Sequence, residues 1–194
     1  MHTRTAAAAG LLTAGLLLAA CTSNTHHDTT ATTPPATTAE PTTEAPTTPA
    51  APTRYDIGQP WEWSSSTGAD GTTTVLGYQQ PVLRNDPPDT SLGVPAGSQW
   101  GRLDVKICLT SGPSIGVSQN PWHLGFADGS QADNTGLNGG DFPKPELPQD
   151  GTVVAGGCSR GGIMFPIPKG QRPTMVVYTP DGADEPVVWT IPAE

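Results

Sequence analysis

The chain has 194 residues, with 18 acidic against nine basic side chains and a formal net charge of −9. Such a balance is a poor fit to nucleic acid, or to electrostatic adhesion on anionic lipid, because phosphate repels it. Composition changes sharply twice, dividing the chain into an apolar start, a low-complexity tract and a mixed segment the size of one ordinary domain.

The start carries the marks of export. His2 and Arg4 precede fifteen uncharged residues, Ala6 to Ala20, which include Leu11-Leu12 and Leu16-Leu17-Leu18. A spanning helix needs roughly 20 apolar residues, so this run reads as a signal-peptide core over residues 1–20. It ends in Leu18-Ala19-Ala20-Cys21, which resembles the lipobox of bacterial lipoproteins. That resemblance implies a diacylglyceryl group on the Cys21 thiol, cleavage before Cys21, and anchorage on the extracytoplasmic face of the cell membrane. Two acyl chains hold a protein stably without a basic patch, which suits an acidic domain.

Residues 21–53 are expected to be the lipidated cysteine and a disordered linker. From Thr22 to Thr53 there are 13 Thr, six Pro and six Ala, with no Val, Ile, Leu, Met or aromatic residue. Nothing in that composition offsets the entropy of ordering. The spaced prolines favour extended chain, with a full reach of roughly 100 Å at about 3.1 Å per residue. The composition is shared with O-glycosylated stalks. His26-His27-Asp28 are three neighbours on such a chain and make no preformed metal site.

Residues 54–194 hold 21 Gly and 16 Pro, and eight basic against fifteen acidic side chains. The longest stretch free of Gly and Pro, Arg102 to Ser111, is shorter than a mean helix. Within it Leu103, Val105, Ile107 and Leu109 alternate with polar residues, the period of a half-buried strand. Other predicted strands follow in order. Trp61 and Trp63 alternate about Glu62; a turn at Asp70-Gly71 then leads into Thr72–Leu76, and Val82-Leu83 precedes the loop Asn85–Pro88. Beyond the long strand come Trp122–Phe126, Val153-Val154, Ile163–Ile167, Thr174–Tyr178 and Val187–Ile191. Asp128–Pro148 lacks apolar alternation and reads as a long loop. About eight short strands separated by Gly/Pro turns predict an all-β sandwich.

With Cys21 assigned to lipid, Cys108 and Cys158 remain as a pair. Outside the cytoplasm two free thiols are not expected to persist, so the pair predicts a disulfide. A metal site or redox couple lacks support: there is no CxxC and no second pair of His or Cys ligands. Cys108, Trp122 and Cys158 superficially match the immunoglobulin Cys…Trp…Cys spacing. Yet Cys108 falls on the polar phase of its strand, and Gly156 stands where a tyrosine is expected. The bridge is therefore expected at the periphery rather than between sheets.

The order of short motifs resembles a known family. Leu103-Asp-Val-Lys-Ile-Cys-Leu is followed by Trp122-His-Leu-Gly-Phe-Ala-Asp-Gly, then by Gly156-Gly-Cys-Ser-Arg-Gly-Gly-Ile-Met-Phe-Pro-Ile-Pro-Lys-Gly, Val176-Val-Tyr and Val188-Trp-Thr-Ile. This resembles the telokin-like, immunoglobulin-like domain-of-unknown-function family of Gram-positive and actinobacterial surface lipoproteins. A secreted, immunogenic mycobacterial β-sandwich protein belongs to the same broad group. The resemblance covers residues 56–192 and implies an immunoglobulin-like sandwich at the cell surface, with no catalytic residue.

Chemistry-bearing residues are sparse. The domain has one histidine, His123, flanked by Trp122 and Leu124 on a predicted strand, and no G-x-S-x-G. It reads as structural. Asp128, Asp133, Asn134, Asn138 and Asp141 form an oxygen-rich segment without the spacing or terminal Glu of an EF-hand, and read as a plain loop. Trp61 and Trp63 share one face and could stack on sugar rings, but two such tryptophans more often belong to a core. Gly156-Gly157 and Gly161-Gly162 read as strand-edge turns. No enzyme activity, cofactor or metal is expected. The expected function is a monomeric, lipid-anchored, non-catalytic binding module that meets the membrane through Cys21 and meets an envelope protein or wall component through its domain. A wall-glycan or small-ligand binder is the alternative, and an envelope hydrolase is a third.

Overall fold

The computed structural model describes residues 53–183 and 185–193. Cys21 and the segment His26–Asp28 lie outside them.

Eleven strands are built from these residues, with one 3-10 turn at Thr90–Leu92. In chain order they are β1 (Arg54–Asp56), β2 (Pro60–Ser64), β3 (Asp70–Val82), β4 (Gln99–Ser111), β5 (Ile115–Val117), β6 (Trp122–Gly125), β7 (Gln131–Asp133), β8 (Gly151–Val153), β9 (Cys158–Ile167), β10 (Met175–Tyr178) and β11 (Val187–Thr190). A five-stranded sheet runs β1-β11-β10-β6-β7 and a four-stranded sheet runs β2-β3-β4-β9, while β5 and β8 pair separately. The two larger sheets form the expected all-β sandwich. β1 joins β11 in parallel; the chain then turns at Gly58 and enters the other sheet as β2.

The period-two pattern of β4 becomes its inner face. Leu103, Val105, Ile107 and Leu109 are buried, and β9 supplies Ile163, Phe165 and Ile167 beside them. From the five-stranded sheet come Trp122, Tyr178 and Trp189. Trp122 stacks on Tyr178 with ring centroids 4.1 Å apart, and Tyr178 lies 6.5 Å from Trp189. Trp122 and Trp189 are fully buried, and each removes enough apolar surface from water to contribute about 2–3 kcal/mol.

Four sequence expectations are corrected. Asp70-Gly71 is not a turn: the reversal lies at Ser65–Ala69, closed by the Ser65 N–H donating to the Ala69 carbonyl at 2.8 Å. Gly71 sits inside β3, where a Cβ would collide with the Trp63 ring and the Cys108 carbonyl. Thr72–Leu76 and Val82 belong to one strand, whose register with β4 slips at three points. An inserted residue at Leu76 breaks the alternation that would have joined them in sequence. Gly161-Gly162 is likewise interior to β9. A Cβ at Gly161 would overlap the Leu147 backbone nitrogen, and one at Gly162 the Arg102 guanidinium. Finally, the segment Asp128–Pro148 contains β7 and then straps the free edge of β9. There the Gly162 N–H donates to the Pro145 carbonyl at 2.9 Å and the Leu147 N–H to the Gly162 carbonyl at 3.0 Å.

Candidate functional site

The cysteine pair lies where its strand phase placed it. Cys108 and Cys158 face each other across β4 and β9 in one sheet, on its outer side, and are joined by a disulfide. The bridge does not link the two sheets.

The tryptophan pair is half-buried. Its ring centroids are 6.5 Å apart and the planes are inclined at 44°. Trp61 meets Tyr178 edge-on at 6.1 Å, and Trp63 donates its Nε1–H to the Thr73 hydroxyl at 3.0 Å. Two inclined rings committed to the core are not a flat platform for a sugar. Burial, with help from the Asp181 charge, pushes the Tyr178 hydroxyl up to about 12. That keeps it neutral near pH 7.

His123 points outward from β6, with Nδ1 2.8 Å from Asp133 Oδ1 directly across on β7. Among the described residues no hydroxyl or thiol is hydrogen-bonded to its other ring nitrogen. The carboxylate orients the imidazole across the strand pair. The neighbouring acids are turn formers. Asp128 accepts from the Ser130 hydroxyl at 2.6 Å and from its N–H at 2.9 Å, and these bonds hold its carboxyl below the ordinary range. Among the described residues no three His, Cys, Asp or Glu side chains gather to hold a metal.

What the sequence reading missed is a groove and the strap beside it. The groove has a volume of about 590 Å³ and is lined by Leu92–Pro95, by Ser130–Thr135 and by Phe126, Pro166, Pro168 and Gln171. It runs along the outer edge of β7, the last strand of its sheet. The Phe126 N–H donates to the Ser130 carbonyl at 2.9 Å, and Leu124 pairs with Ala132 two residues on. In an antiparallel ladder this alternation turns the N–H and C=O groups of Gln131 and Asp133 away from β6. Among the described residues nothing is hydrogen-bonded to those four groups. The signal for the hairpin was present as Asp128-Gly129 directly after a predicted strand, with Gly129 at φ +87°.

Arg102 holds the strap. Nearly buried, it grips Asp104 through Nη2 at 2.8 Å and donates to the carbonyls of Pro143 and Pro145. Trp100 packs edge-on against Phe142 at 5.0 Å, and Gln119 donates to the Leu147 carbonyl at 2.6 Å. The strap thus covers the edge of β9 around Gly162, while β7 remains the last strand of its own sheet.

No family model matches this chain. Over 71 residues it is 34% identical to the peptide methionine sulfoxide reductase MsrA of Corynebacterium glutamicum, in two strains. That stretch is 37% of this chain and spans only 31% of the reductase. Among solved structures, the secreted protein MPT63 of Mycobacterium tuberculosis superposes with a TM-score of 0.54 at 19% identity, over 73% of this chain and 99% of that one. The yjhA protein of Bacillus subtilis gives 0.48 at 14% identity, over 71% of this chain and 99% of that one. The candidate lipoprotein ycdA of the same species gives 0.45 at 18%, over 67% of this chain and 38% of its own length. The likeness to MPT63 is one of fold; it does not extend to a telokin-like family assignment.

Proposed function

We propose that this protein is a lipid-anchored extracytoplasmic module that binds an envelope component without catalysing a reaction, and that the groove along β7 is its contact face. The observation that carries this reading is the groove itself: a concavity of mixed apolar and polar lining beside an edge strand whose outer backbone groups turn away from β6. Concave sites with apolar walls and a few convergent polar groups are the ordinary form of a binding site. The Leu18-Ala19-Ala20-Cys21 string supports the anchor, and the Cys108–Cys158 bridge suits an oxidising compartment. The absence of a nucleophile at His123 supports binding over catalysis.

The test is photo-crosslinking in intact cells. A photoreactive residue is placed at Thr135, in the groove, or at Thr110, exposed on β4. Recovery of one envelope component from Thr135 and not from Thr110 is expected. Equal recovery from both positions, or none from Thr135, would refute the groove as the contact face.

A further inference from the structure

We infer that the groove takes an extended, positively charged peptide segment, which adds to the five-stranded sheet as a sixth strand beside β7. The inference rests on the binding reading above and names its partner class.

Three observations converge. Gln131 and Asp133 present two N–H donors and two C=O acceptors along one edge, spaced for an extended chain and unused by the fold. Backbone groups in that array are matched by another strand, whose own N–H and C=O groups repeat at the same interval. The neighbouring edge, that of β9 in the facing sheet, is treated differently: there the strap pairs with β9 around Gly162. Proteins cover or charge their strand edges against indiscriminate pairing. The β7 edge is instead flanked by Leu92–Pro95, Pro166 and Pro168, which leave an open groove of about 590 Å³ beside it. Prolines in the wall offer no N–H of their own to compete for that chain.

The charge of the occupant follows from the lining. Among the lining residues Asp133 alone is charged, and its side chain is 79% exposed. Asp128 stands at the adjoining turn, and the segment 54–194 carries an acidic excess. A Lys or Arg on the incoming segment would meet Asp133, whereas a Glu would be repelled. The same charge argues against a second copy of this chain, which would set acidic edge against acidic edge. The chain's own Thr/Pro tract is a poor occupant too, since residues 22–53 contain no Lys or Arg.

The full chain, purified in mild detergent, is titrated with three synthetic probes. These are the blocked pentapeptide Thr-Val-Lys-Val-Thr, its Glu counterpart, and the Lys peptide N-methylated at alternate amides. The Lys peptide is expected to bind, with the amide resonances of Gln131 and Asp133 shifting. Loss of two main-chain hydrogen bonds should weaken the methylated probe about tenfold. Asp133→Lys should reverse the preference between the Lys and Glu probes. Gln131→Pro removes an N–H that the fold does not use, and should weaken the Lys probe while leaving the edge strand in place. If Gln131→Pro does not fold, the exposed substitution Asp133→Lys and the methylated probe still decide. Equal binding of the methylated probe, an unchanged preference in Asp133→Lys, or self-association through β7 would overturn the inference. Absence of peptide binding while Thr135 still captures a glycan would overturn it and leave the binding reading intact. Failure of both experiments removes the two together.

Discussion

At Gly161 the fold has no room for a side chain. A Cβ there would overlap the Leu147 backbone nitrogen and the Glu146 carbonyl, where the strap crosses β9. The obstructing atoms are backbone and cannot swing aside. Gly161→Ala must therefore displace the strap, and with it the fully buried Leu147. A loss of about 1–3 kcal/mol is expected in urea unfolding, the range of overpacked cores. Glu146 contributes through its charge. Burial pushes its pKa up, and this is the largest single influence. Hydrogen bonds from Lys144 and Gly139, with the charges of Lys144 and Arg102, together outweigh burial and leave the carboxyl below its ordinary value. A carboxyl with a lower pKa folded than unfolded adds stability above the unfolded value, about 4.3, and that stability is lost as pH falls through the folded value. Glu146→Gln should flatten the fall in urea midpoint between about pH 6 and pH 3; an unchanged slope would place the acid sensitivity elsewhere.

Strands were legible in the sequence where one face meets the core and the other meets water. Leu103, Val105, Ile107 and Leu109 announce β4 because their neighbours are polar, and Cys108 on the polar phase announced a bridge outside the core. Gly71, Gly161 and Gly162 misled for one shared reason: a glycine that admits a neighbouring segment has the same sequence mark as one that permits a turn. β7 went unseen because three residues with a single small apolar side chain, Ala132, carry no period. The groove was beyond reach, since its walls come from segments far apart in the chain and joined only by the packing of the sheets. Among the elements, the disulfide joins β4 to β9, whose register already holds ten residue pairs. Its contribution should thus come chiefly from restricting the unfolded chain over a sequence separation of 50. The paired variant Cys108→Ser with Cys158→Ser should keep the native far-ultraviolet circular dichroism and lose about 2–4 kcal/mol in urea unfolding. Loss of the strand signal at room temperature would instead show that the bridge is needed to set the register.

For the molecule as a whole, charge and anchorage are coupled. Residues 54–194 carry fifteen acidic against eight basic side chains, so an anionic membrane surface repels the domain. On this reading the lipid proposed at Cys21 supplies all of the attachment, and it also raises the concentration of the groove near envelope partners. Binding confined to a surface gains through effective concentration without any new contact. Cys21→Ser should therefore do two separable things. It should move the protein from the membrane fraction to the soluble fraction. It should also lower crosslinking from Thr135, although the groove is unaltered, and raising the concentration of the released protein should restore the yield. Retention of Cys21→Ser in membranes through a salt wash would refute the lipid anchor. Release with undiminished crosslinking would keep the anchor but show that the groove's partner is not confined to the membrane surface.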